Sequence, residues 1–165
     1  MPSPFRTLTP RQKHAFTACF LGWSLDSFDF FILVFCLSAV SADFHVQRSA
    51  VAVAISITLF FRPVGAFLFG MIADRFGRRP TLMINIACYS LLELACAFAG
   101  SMHTLIILRA LFGIAMGGEW GVGAALAFET LPKENRGFFS GLLQEGYAFG
   151  YLVAAAAYGL LFPWF

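Results

Sequence analysis

Asp26 and Asp29 stand one helical turn apart inside the apolar run GWSLDSFDFFILVF, residues 22–35. A charged side chain within a membrane span costs roughly 2.5–3.5 kcal/mol on insertion scales, so such residues usually serve a function and have partners. Two carboxylates at this spacing in a low dielectric resist being ionised together. One of them is therefore a candidate to take up and release a proton, alternating between a protonated form and one paired with a cation. Arg62 and Arg109, also in apolar runs, supply the cations, and a guanidinium also matches the carboxylate of an anionic substrate. At ~1.5 Å of rise per residue, Asp29 lies ~15 Å and Arg109 ~9 Å from the outer ends of their spans, with ~6 Å of arginine arm to spare. Asp26 and Arg62 both lie ~20 Å down. Depth thus permits an Asp29–Arg109 pair and an Asp26–Arg62 pair. Arg62 precedes Pro63, whose missing N–H leaves a helix carbonyl free to face a cavity. Glu119 and Trp120 in mid-span are candidates to line that cavity, the Glu being paired or protonated there. Glu93 and Glu145 take no role from sequence. The alternative for Asp26 and Asp29 is that both line a wet cavity and stay ionised.

The elements that position these groups are transmembrane helices. The 165 residues are 59% hydrophobic and 12% charged, against about 45–50% and about 25% for soluble domains. The mean hydropathy is +0.78. Five stretches reach the ~20 residues a span needs: about 15–40, 50–73, 81–100, 104–129 and 138–162. Residues 1–14 are expected as a cytoplasmic N-terminal segment, because the run that follows is too long for a cleaved signal peptide. An inside N-terminus puts Arg6, Arg11, Lys13, Arg75, Arg78, Arg79, Lys133 and Arg136 on the cytoplasmic side, eight of the eleven basic residues, as the positive-inside rule requires.

Composition also excludes several classes. A net charge of +2 with its basic residues in loops argues against nucleic acid as a partner. The four cysteines sit apart in apolar runs and the three histidines are scattered, so neither a disulfide, a metal site nor a cofactor is expected. No phosphate-binding G-x-x-x-x-G-K-[ST] loop occurs, no charge ring suggests a channel, and no nucleophile–base pair suggests an enzyme.

The loop after the second span reads GMIADRFGRRP, placing Gly70, Asp74, Arg75, Gly77, Arg78 and Arg79 in a compact acid-and-base turn. The loop after the fourth reads ETLPKENRG, with Glu129, Pro132, Arg136 and Gly137. The fourth span carries Gly113, Gly117 and Gly121 at four-residue spacing, a smooth face for close helix packing. These motifs resemble the major facilitator superfamily of secondary transporters. With CFLGWSLDSFDFFILVF, LRALFGIAMGGEWGVGAAL and GFFSGLLQEGYAFGYLVAA, the chain is similar to its sialate:proton symporter branch, especially bacterial lactate-type permeases. Ser27 and Glu145 depart from that pattern.

The resemblance implies an all-α integral membrane protein whose five helices form most of the N-terminal six-helix bundle of a twelve-helix transporter in the cell inner membrane. It implies proton symport of a small organic anion, lactate or a sialic acid, by alternating access. Asp29 and Arg109 would be the coupling pair, with Asp26 as helper. Arg62, Arg109, Glu119 and Trp120 would touch substrate, and the Asp74 loop would serve conformational switching. The implied partners are protons, the anion, the lipid bilayer and the missing remainder of the transporter. A truncated chain without transport of its own and a sugar:proton symporter remain as alternatives.

Overall fold

The computed structural model describes residues 8–162; Arg6, the rest of residues 1–7, and residues 163–165 lie outside them. Six α-helices follow one another: α1 (Pro10–Phe35), α2 (Leu37–Asp43), α3 (Arg48–Phe76), α4 (Arg78–Ala97), α5 (Met102–Thr130) and α6 (Arg136–Leu161), with a short 3-10 turn at Lys133–Asn135 before α6. No strand occurs among the described residues. Helix starts are written in local sequence. Thr9 accepts from the backbone N–H of Gln12, whose side chain accepts from the Thr9 N–H, and Pro10 follows at the first helical position, where its missing donor costs nothing. Ser101 caps α5 by accepting from the Thr104 N–H. Between α3 and α4 a single residue, Gly77, turns the chain at φ 93° and ψ 154°, a region essentially closed to residues with a Cβ. The central glycine of the GMIADRFGRRP loop is there for that turn.

Helices α1, α3, α4 and α5 are long and apolar enough to cross a membrane. Helix α6 has the length, at 26 residues, but Gln144, Glu145 and three tyrosines lower its apolar character. Two of those tyrosines and both polar residues face a cavity described below. The apolar run of the first span does not stay one helix to residue 40: α1 ends at Phe35 and α2 resumes after Cys36. Pro63 is accommodated inside α3 without ending it.

Packing is closest between α3 and α5. A Cβ at Gly113 or Gly117 would run into the backbone carbonyl of Thr58 or Arg62, and one at Gly65 into that of Ile114. Thr58 Oγ1 donates to the Arg109 carbonyl across this seam at 3.1 Å. Gly121, expected to continue the same face, meets nothing within 4 Å, whereas Gly118 packs on Phe69. The reason is helical pitch: a four-residue step overshoots a 3.6-residue turn by ~40°, so the second step has rotated off the contact. A second close seam joins α1 to α6, where Gly150 lies on the Ser24 carbonyl and Ser27 Oγ donates to the Tyr147 carbonyl at 2.6 Å.

Candidate functional site

Asp26 is fully buried, and three donors converge on it. Arg62 approaches through Nη2 at 2.6 Å from Oδ1 and Nη1 at 3.4 Å from Oδ2, and Trp120 Nε1 donates to Oδ2 at 2.7 Å. The Arg62 side chain is 15% exposed against 0% for Asp26, so both charges are withdrawn from solvent and satisfied mainly by each other. Gly117 of α5 lies against the Arg62 backbone, and Met116 Sδ of α5 sits 3.2 Å from Nη2. The matched depth of Asp26 and Arg62 thus becomes a contact.

Arg109 does not pair with Asp29. Its Nη2 donates to Glu93 Oε1 at 3.0 Å, and its guanidinium lies 5.0 Å from the centre of the Phe112 ring. The cause is the tight α4–α5 hairpin. Glu93 and Arg109 are equidistant along the chain from Ser101, so they meet at one depth across adjacent antiparallel helices. Asp29, on α1, is half-buried and makes no hydrogen bond or ion pair among the described residues. It stands within electrostatic range of Glu93, Arg109 and Asp26. Glu93 Oε2 and Arg109 Nε are buried without hydrogen-bond partners, leaving each group with unused capacity beside Asp29. Arg62 and Arg109 share only a crevice of about 10 Å³, room for at most about one water.

Glu119 is 3% exposed and packs its carboxylate on Gly22, where an added Cβ would collide with it. It forms no salt bridge among the described residues. Its neighbour Trp120 stacks on Trp23, ring centres 5.0 Å apart at 24°. Both indoles line an open-sided cavity of about 440 Å³ between α1, α5 and α6, with Phe31, Tyr147 and Tyr151. Gln144, Glu145 and Ala148 complete its wall.

The two loop motifs meet at one end of the bundle. Arg78 contacts Asp74 at 3.5 Å and Glu129 at 3.0 Å. Gln12 Nε2 donates to the Thr130 carbonyl at 2.7 Å, bringing the start of α1 to the same end. Pro132 precedes the 3-10 turn, and Arg136 Nε donates to the Leu131 carbonyl at 3.4 Å. Arg75 lies over the Phe76 ring at 5.5 Å. Arg79, Gly70 and Gly137 make no contact here on which the arrangement depends.

Comparison with known proteins matches residues 19–165 to the Major Facilitator Superfamily model. The chain belongs to the major facilitator superfamily. Among its relatives are a "Probable 4-methylmuconolactone transporter" of Cupriavidus pinatubonensis, 36% identical over 97% of this chain and 37% of its own length, and the sialic acid transporter NanX of Escherichia coli, 28% identical over 92% and 37%. The niacin transporter NiaP of Acinetobacter baylyi is 33% identical over 88% and 33%. The chain thus spans about a third of the length of the relatives it matches.

In this major facilitator chain, sequence reasoning missed two partners. Glu93 carried a usable signal, its equal distance from the hairpin with Arg109. The bond from Trp120 to Asp26 carried none, since it depends on how α1 and α5 are rotated toward each other.

Proposed function

We propose that this chain forms most of one helical bundle of a secondary transporter that moves a small organic anion together with protons by alternating access. The bundle lies in the cell inner membrane with its N-terminus cytoplasmic, the side on which the positive-inside rule sets the Arg75–Arg79 loop. The observation that carries this reading is the buried Asp26–Arg62–Trp120 cluster beside an Arg109–Glu93 pair that leaves Asp29 unbonded. Intramembrane ion pairs on facing helices are costly and mark ion or substrate paths. The relatives named as transporters of niacin and sialic acid support an organic acid as cargo, lactate or a sialic acid being the narrower reading.

In this scheme Asp29 carries the coupling proton. Protonated, it leaves Arg109 to Glu93. Deprotonated, it competes with Glu93 for the guanidinium, and the negative charge it adds is compensated as Arg109 shifts toward it. Arg62 and Arg109 supply the positive field that favours an anion, and Glu119 and Trp120 stand beside the cavity. The Asp74–Arg78–Glu129 cluster couples the ends of α3, α4 and α5 and serves the switch between states.

The test is uptake into vesicles by a full-length transporter carrying these residues, with radiolabelled lactate and sialic acid, under an imposed inward proton gradient. Accumulation that collapses with an uncoupler is expected. Uptake indifferent to the gradient overturns proton coupling, and uptake of hexose but neither acid overturns the anion.

A further inference from the structure

We infer that Glu119 is a proton-binding site closed off between α1, α4 and α5, its protonated carboxyl shared with Asn85 and Tyr89. This goes beyond the transport scheme above, which places the coupling proton on Asp29 and gives Glu119 none.

Register brings the members together. On α4, Leu82, Asn85 and Tyr89 recur at three- and four-residue spacing and so share one face. On α5, Phe112, Met116, Glu119 and Gly123 do the same. The two stripes run antiparallel. Leu82 Cδ1 lies 3.9 Å from where a Gly123 Cβ would stand, and the Tyr89 and Phe112 rings meet edge to face at 6.4 Å. Asn85 and Glu119 lie between these contacts on their two helices and therefore face each other, with Tyr89 within reach of the same carboxyl. Helix α1 supplies Gly22, which backs the carboxyl, and Trp23, which stacks on Trp120.

These groups share an anomaly. Asn85, Tyr89, Glu119 and Trp23 are 0%, 2%, 3% and 4% exposed. Asn85 Oδ1 and Nδ2, the Tyr89 hydroxyl, Glu119 Oε2 and Trp23 Nε1 are all buried without a hydrogen-bond partner among the described residues. Buried polar groups are nearly always paired, so orphans gathered at one junction need a common explanation. Helices of this chain already bury them, and anything packed outside can only deepen that burial.

Charge supplies the explanation. An ionised Glu119 would lack a cation of its own. Asp26 and Asp29 on α1 add like charge within range, and the cation in range, Arg62 on α3, is already held by Asp26. Tyr89 is the titratable neighbour on α4, and the Cys19 thiol on α1 donates to the Gly123 carbonyl at 3.3 Å. A charge isolated in this way is neutralised by a proton. The proton also resolves the orphans, because a carboxylate offers acceptors only whereas a carboxylic acid adds one donor. The Glu119 O–H then donates to Asn85 Oδ1, and the Tyr89 hydroxyl donates to the other carboxyl oxygen. A monovalent cation fits worse, since Trp23 Nε1 and Asn85 Nδ2 carry only donors and repel it. With Glu119 neutral, the Asp26–Arg62 and Glu93–Arg109 pairs balance. Asp29 is left as the acid whose proton changes the net charge of the cluster.

The test is infrared difference spectroscopy at neutral pH, wild type minus Glu119→Gln. It uses a full-length transporter carrying these residues, in a detergent without carbonyl groups. A carboxylic-acid C=O band is expected, moving to lower frequency in D2O. Asn85→Leu and Tyr89→Phe should each shift that band, because each removes one hydrogen bond from the carboxyl. The band should be equal in sodium, potassium and choline chloride, and it should persist in an Asp29→Asn background. Ionised-carboxylate bands in its place overturn the inference, as does a band that neither Asn85→Leu nor Tyr89→Phe moves. Loss of the band in sodium alone would make this a cation site, and loss in the Asp29→Asn background would tie it to the coupling acid; either overturns the inference. The readout needs neither cargo nor gradient, so a band found alongside uptake that ignores protons would sink the coupling scheme alone.

Discussion

Arg62 and Arg109 occupy two neighbouring sites in the same bundle and are built in opposite ways. Arg62 grips a carboxylate of zero exposure with two nitrogens, and a tryptophan N–H completes that carboxylate. Arg109 reaches Glu93, 28% exposed, through one nitrogen, with a second carboxylate, Asp29, standing by unbonded. Both oxygens of Asp26 are filled, although Arg62 Nε, like Arg109 Nε, is buried without a partner, and removing either member of so buried a pair strands a charge. A pair with spare capacity on both sides can exchange partners at little cost. The contrast fits the proposed scheme, in which Arg62 holds the helices in register and Arg109 responds to the proton on Asp29.

The largest expected effect breaks the closed site. Asp26→Ala should destabilise the bundle by about 3–5 kcal/mol, since it leaves Arg62 buried without its counter-charge. Glu93→Ala should cost less, about 1–3 kcal/mol, because Arg109, though buried, keeps Phe112 and has Asp29 within electrostatic range. Thermal unfolding of both variants in one detergent measures the ratio, and equal losses would erase the distinction between the sites.

Next in size is the seam that holds Arg62 in place. Gly117→Val should cost about 1–3 kcal/mol by forcing α3 off α5. Gly121→Val, where nothing lies within 4 Å, should change stability by less than about 0.5 kcal/mol. Similar shifts in melting temperature for the two would mean that the seam does not depend on Gly117.

Asp29→Asn should leave stability within about 0.5 kcal/mol while removing function from the responsive site. In a full-length transporter, accumulation against a gradient should vanish and counterflow exchange survive, because exchange needs no net proton release. Arg109→Ala should lose both, as it leaves Asp29 and Glu93 facing each other without a cation. Normal accumulation by Asp29→Asn would transfer the proton role to Asp26.

Smallest is a third arginine, only partly buried. Arg78 shares two carboxylates at the surface, and Asp74 is 73% exposed. Asp74→Ala should therefore change stability by no more than about 0.5 kcal/mol yet slow turnover with affinity nearly intact. A large loss of affinity at normal turnover would contradict a switching role for this loop.

Depth was legible in the sequence wherever helices are straight, because each residue adds a constant rise. That is why Asp26 and Arg62 could be matched on either side of two loops. The same arithmetic applied to the α4–α5 hairpin points to Glu93 and Arg109, but depth also admitted Asp29 as the partner of Arg109, and the family resemblance favoured it. The cavity of Trp23, Trp120, Tyr147 and Tyr151 was only half visible, through Trp120, since aromatic residues in spans mostly face lipid or core. Glu145 stood out as a departure from the family pattern without any sign that it shared a wall with two stacked indoles.

Local sequence is enough to set the membrane environment and most helix ends, though not the break at Cys36 between α1 and α2. Apolar runs of span length demand a membrane, and Thr9, Gly77, Ser101 and Pro132 mark turns through chemistry that acts within a few residues. Tertiary structure alone decided which arginine serves which acid and which rings meet across α1, α5 and α6. Those choices depend on the rotation of each helix about its axis and on how closely two axes approach. Both are set by distant contacts, such as Gly117 on Arg62 and Gly150 on Ser24, whose partners no local pattern names.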